Sequence, residues 1–147
     1  MKRKMDIKLV KAKDSDMLFL LKLRKLTMVE YLKKAGLYLT DDQHLSRVKI
    51  HFNAAYIIKQ LDEKVGLLKY IETKDAIEIL QFQILPKYQG KGIGNYLLND
   101  MIQLSGSLDK NILLKVLKEN PARYLYERNG FCIIGEDQYE FHMEFKK

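Results

Sequence analysis

The chain has 147 residues, 47% of them apolar and 31% charged, enough for one domain spanning 1–147 with its own core and too few for two. No apolar run approaches the roughly 18 residues of a membrane span, and no long apolar stretch or small-residue cleavage site follows the basic start MKRKMDIKLV, so neither a membrane anchor nor a signal peptide is expected. The 26 Lys and Arg against 19 Asp and Glu give +7. This charge is dispersed as on a solubilising surface, rather than clustered as in a nucleic-acid footprint.

The elements follow in chain order. Residues 7–11 form a short strand, and Asp14, Ser15 and Asp16 cap a helix that runs to about Leu32, with Met17, Leu20, Leu21 and Met28 apolar. A second helix covers 42–52. The period then changes to that of strands at 55–61, 65–73 and 76–85, with turns at 62–64 and 74–75. Pro86 ends the third of these, and Gly90, Gly92 and Gly94 follow before a helix over 92–105, whose apolar positions include Ile93, Leu97, Met101 and Leu104. NILLKVL at 111–117 reads as a buried strand. Asn120-Pro121 opens a short helix to Asn129, capped by Gly130, and 131–135 with 138–145 closes the chain as a hairpin. Helices among early hairpins make this a mixed α/β sheet. The single cysteine, Cys132, lies in the apolar run Phe131-Cys132-Ile133-Ile134 and is expected to be buried and structural. With no disulfide available to it, a cytoplasmic location is expected.

Residues 85–98, LPKYQGKGIGNYLL, carry the chemistry. A glycine-rich loop at a helix N-terminus presents unpaired N–H groups and the positive end of the helix dipole, which suits phosphate. No Ser or Thr follows Gly90-Lys91 to hold magnesium, so a P-loop is rejected, and G-x-G-x-G is not the dinucleotide spacing G-x-G-x-x-G. What remains is Q-x-x-G-x-G from Gln89. In this form ILPKYQGKGIGNYLL resembles motif A of the GCN5-related N-acetyltransferases (GNAT), and LLKVLKENPARYLYERNGF at 113–131 resembles their motif B, in the same order and spacing.

The resemblance implies a mostly antiparallel central sheet of about seven strands with about four helices, and acetyl-CoA as cosubstrate. The pyrophosphate would lie on Gln89, Gly90, Lys91, Gly92, Ile93 and Gly94, with Lys87 adding charge. Main-chain groups of Gln83, Ile84 and Leu85 would hold the acetyl and pantetheine parts, and the Ile84 amide would meet the carbonyl. Asn120 would contact the pantetheine arm or cap the helix. Tyr126 would be the general acid, since a phenol keeps its proton at neutral pH; Tyr124, two residues away, faces elsewhere. Glu78 is the candidate base, with a water chain as the other route. On an ideal strand Gln81 and Gln83 face away from Glu78, unless a bulge breaks the alternation.

His44 and His51 are about 10 Å apart along a helix, too far to share a metal, His142 has no partner pattern, and no metal site is expected. The acceptor would be a small-molecule amine or a protein lysine, met by about 27–47 and 136–142. Glu30, Asp41, Asp42, Glu72 and Glu78 could attract its charge, and Tyr31, Tyr38 and Tyr70 could line the pocket. No nucleic-acid or membrane partner is expected, and a homodimer is compatible with the resemblance. The rival readings are a non-catalytic acyl-CoA sensor on the same fold and a basic nucleic-acid-binding domain.

Overall fold

The computed structural model describes residues 5–147; the first four residues of the basic start lie outside the described residues. Seven strands form one sheet: β1 (Ile7–Lys11), β2 (Ala55–Gln60), β3 (Glu63–Glu72), β4 (Ala76–Ile84), β5 (Asn111–Leu117), β6 (Cys132–Glu136) and β7 (Glu140–Phe145). Their order is β1-β2-β3-β4-β5-β7-β6, antiparallel throughout except for the β4–β5 pair. The helices are α1 (Met17–Lys34), α2 (Asp41–Lys49), α3 (Ile93–Leu108) and α4 (Ala122–Arg128). No helix among the described residues is long and apolar enough to cross a membrane.

The sheet separates two apolar clusters, as strand alternation requires. Leu20, Leu23, Val48, Ile57 and Leu67 join α1 and α2 to one face. Ile58, Leu68, Ile77, Ile79, Leu114 and Met143 join α3 and Tyr126 of α4 to the other. Short α2 is fixed at both ends. The Gln43 amide donates to Thr40 Oγ1 at 3.2 Å while the Thr40 amide donates to Gln43 Oε1 at 2.8 Å, a reciprocal cap. At its other end the buried Lys69 ammonium donates to the carbonyls of Arg47, Val48 and Ile50 at 3.4, 3.0 and 2.6 Å, taking up acceptors that the helix leaves unpaired. The expected α2 end at Phe52 falls three residues late, because His51 turns left-handed at φ 53° and residues 52–54 form a separate 3₁₀ turn.

Leu80 is a β-bulge. Tyr70 pairs with Ile79 and Lys69 with Gln81, so Leu80 has no partner across the ladder. The extra residue shifts the alternation, and Glu78, Gln81 and Gln83 share the face covered by α1 and α2 instead of facing apart. Cys132 is a correction to the sequence reading: it is exposed, on β6, the outer strand of the sheet. His142 Nε2 meets Asp137 Oδ2 at 2.9 Å, a contact within the β6–β7 hairpin.

Candidate active site

β4 and β5 pair only from Ala76–Asn111 to Ile79–Leu114. Beyond the Leu80 bulge, β4 stays with β3 while β5 stays with β7 as far as Leu117–Glu140, and the two strands part. Leu85 N–H donates to Val65 O at 2.8 Å. By the alternation of an antiparallel ladder, Gln83 and Leu85 therefore turn their backbone to β3, and Phe82 and Ile84 turn theirs into the gap. A cavity of about 850 Å³ fills this gap and opens to both faces of the sheet.

On the α3/α4 face the cavity meets the glycine loop. Pro86–Tyr88 makes one 3₁₀ turn that ends with the Gln89 amide donating to Pro86 O at 3.1 Å, so Gln89 offers no free amide, contrary to expectation. Its side chain instead ties the loop to the strand, with Nε2 donating to Ile84 O at 2.8 Å. The amides of Gly90, Lys91, Gly92, Ile93 and Gly94 donate to no group among the described residues. Gly90 and Gly92 hold φ of 73° and 86°, which a side chain would strain, and left-handed glycines beside unpaired amides are the backbone of an anion nest. Gly94 has a further role. A Cβ there would stand 2.9 Å from Leu125 Cδ2, so Gly94 lets α3 lie close against α4. Lys87 and Lys91 lie over the Tyr88 ring, 5.2 and 5.8 Å from its centre.

Tyr126 lines the cavity at 6% exposure. Its ring packs 5.7 Å from that of Phe131, and its hydroxyl makes no hydrogen bond among the described residues. Burial pushes the phenol pKa up, so it holds its proton firmly. Tyr124 is 51% exposed and stacks under Arg123, away from the cavity. Asn120 Oδ1 accepts the Ala122 amide at 2.9 Å, the expected cap, and this leaves its Nδ2 donor free at the cavity wall.

On the α1/α2 face the wall carries Tyr31, Arg24, Arg47, Gln81, Gln83 and Glu140. The amide oxygens of Gln81 and Gln83 are buried without a hydrogen-bond partner, an acceptor pair that ordinary packing would not leave unmet. Among the described residues, Glu140 is the one carboxylate in the lining. Asp137 fixes its place by accepting the amides of Tyr139 and Glu140 at 2.9 and 2.8 Å, while pairing with His142. Burial raises the Glu140 pKa, and Asp137 adds to this; Lys115, His142 and Arg47 oppose it.

Glu78 is half-buried on the same sheet face but does not line the cavity. The other acidic candidates lie outside the lining too. Glu30 pairs with Lys34, Asp41 with Lys25 and Glu72 with Lys110, and Asp42 is exposed. Tyr38 is 73% exposed and Tyr70 stacks on Tyr56, with ring centres 5.8 Å apart. Arg24, Arg47 and Glu140 were not singled out from sequence. The available signal was an arginine four residues from both Leu20 and Met28 in the apolar row of α1.

The acetyltransferase (GNAT) domain family model matches residues 51–133. The chain is 41% identical over 58 residues to a ribosomal protein bS18-alanine N-acetyltransferase of Haemophilus influenzae, a match spanning 39% of this chain and 40% of that protein. In structure it is similar to the PaiA N-acetyltransferase of Thermoplasma acidophilum in complex with coenzyme A (TM-score 0.74, 19% identity, 97% of this chain and all of that one). It is also similar to a spermidine N-acetyltransferase of Vibrio cholerae in complex with CoA and spermine (TM-score 0.68, 25% identity, 95% of each chain).

Proposed function

The chain belongs to the GNAT acetyltransferase family, and from that premise we propose that it transfers an acetyl group from acetyl-CoA directly to a primary amine. The observation that carries the reading is the cavity itself, which joins an anion nest on one face of the sheet to a polar chamber on the other through the β4–β5 gap.

Acetyl-CoA supplies the activated acetyl group as a thioester. The residues present fit it: Gly90, Lys91, Gly92, Ile93 and Gly94 offer consecutive free amides to a pyrophosphate, and Asn120 Nδ2 and the backbones of Phe82 and Ile84 offer groups to a pantetheine arm. The Ile84 amide polarises the acetyl carbonyl and stabilises charge on its oxygen. Tyr126 gives its hydroxyl proton to the departing sulfur. Glu140 takes the proton from the amine, and Glu78, outside the lining, would do so only through water.

The test is thiol release from acetyl-CoA across an amine panel, for wild type and Tyr126→Phe. Amine-dependent release that falls in the variant supports the reading. Acetyl-CoA binding with no amine-dependent release would favour a sensor.

A further inference from the structure

We propose that the acceptor carries an anionic group, a carboxylate or a phosphate, beside its amine, and that Arg24 and Arg47 hold it; this rests on the acetyltransferase reading above. Arg24 is only 6% exposed. Its Nε donates to His44 Nδ1 at 3.0 Å, which fixes the plane of the guanidinium. Among the described residues, the terminal nitrogens of Arg24 donate to no group and no carboxylate stands within 4.0 Å of either arginine. Both line the cavity. Burial and then Arg47 bring the Arg24 pKa down to about 10, so it stays charged at neutral pH.

Buried charges in folded proteins are paired, and here nothing in the wall fills that role. Lys69 lies close by, but it is a third cation, with its ammonium committed to the end of α2. Glu140 feels Arg47 without pairing with it. The planar fork of a guanidinium suits carboxylate and phosphate oxygens. The arginines come from α1 and α2, across the sheet from the glycine loop, so the nest and the arginines serve different anions. On the same wall the unpartnered amide oxygens of Gln81 and Gln83 accept N–H donors, as an amine needs. A purely cationic polyamine would set its charges against two arginines.

The test uses CoA-saturated protein for thermal shift and acetyl-CoA for turnover, with free L-amino acids against their amides, phosphoethanolamine against ethanolamine, and spermidine. The anionic member of a pair is expected to exceed its neutral partner by about tenfold or more in kcat/KM, and the pair that shows this distinguishes carboxylate from phosphate. Arg47→Gln, at an exposed site, should erase the advantage mainly through KM, and Arg24→Gln should do the same if it folds. Turnover that ignores the anionic group, or an advantage that survives Arg47→Gln, overturns the anion site and leaves the acetyltransferase reading standing. No turnover, with thermal shifts confined to anionic amines and lost in Arg47→Gln, overturns the acetyltransferase reading and keeps the anion site. Neither turnover nor shift overturns both.

Discussion

Gly92→Ala is expected to show how the glycine loop works. Gly92 has φ 86° and ψ 1°, and a Cβ built there meets nothing within 4 Å. The cost of an alanine is therefore backbone strain alone, about 1–2 kcal/mol for an L-residue in the left-handed region. That cost must appear in one of two places. If the free loop keeps its shape, the folded state loses about 1–2 kcal/mol and CoA affinity is unchanged. If the free loop relaxes, stability is retained and CoA binding must restore the strained shape, raising Kd about 5- to 30-fold at 1.4 kcal/mol per decade. Chemical denaturation and calorimetric titration with CoA measure the two losses separately, and their sum should be about 1–2 kcal/mol however it divides. Gly106→Ala is the control: it sits inside α3 with the same open surroundings and should stabilise the protein by about 0.5–1 kcal/mol. A Gly92→Ala variant with neither loss would refute the claim that a positive φ holds the nest open.

The Tyr126→Phe variant should lose about 10²–10⁴-fold in kcat with stability within about 0.5 kcal/mol of wild type, because the hydroxyl has no partner to lose. Gln83→Leu should do the reverse for the fold, stabilising it by about 1 kcal/mol by removing a buried unmet oxygen, while raising KM for the amine; denaturation and kinetics together check this. Lys69 is brought down to about 8 from an ordinary 10.5, by burial first and then by Arg24. The unfolded chain binds more protons between those values, so stability should rise with pH across that window, by up to about 3 kcal/mol at 1.36 kcal/mol per pH decade, and be lower and flat below it. Lys69→Met should abolish the rise. Because burial raises the Glu140 pKa, the acid limb of kcat/KM should lie above the ordinary carboxylate range and vanish in Glu140→Gln.

The elements were legible where local chemistry sets them. Period-2 patterning marked β2, β3 and β4, Pro86 and the glycines marked the loop, and the short stretch from Asn120 to Gly130 marked α4. The Leu80 bulge was not, because nothing in IEILQFQI distinguishes the extra residue; it exists only in the register against β3. That one residue decides which side chains of β4 share the acceptor face. The exposure of Cys132 likewise depends on β6 being outermost, which follows from β7 pairing with β5 across a long sequence separation. The motif residues Tyr126 and Asn120 fell at the cavity because α4 is short and tied to the end of β5. Glu140, Arg24 and Arg47 reach the cavity from β7, α1 and α2, elements far apart in the chain, so no short-range pattern joins them.

An initial-rate grid varying acetyl-CoA and one amine tests the central claim most directly. Direct transfer across the β4–β5 gap requires both substrates to be bound together, so the double-reciprocal lines should intersect, with one thiol released per amine acetylated. Parallel lines, or thiol release that does not depend on the amine, would contradict it.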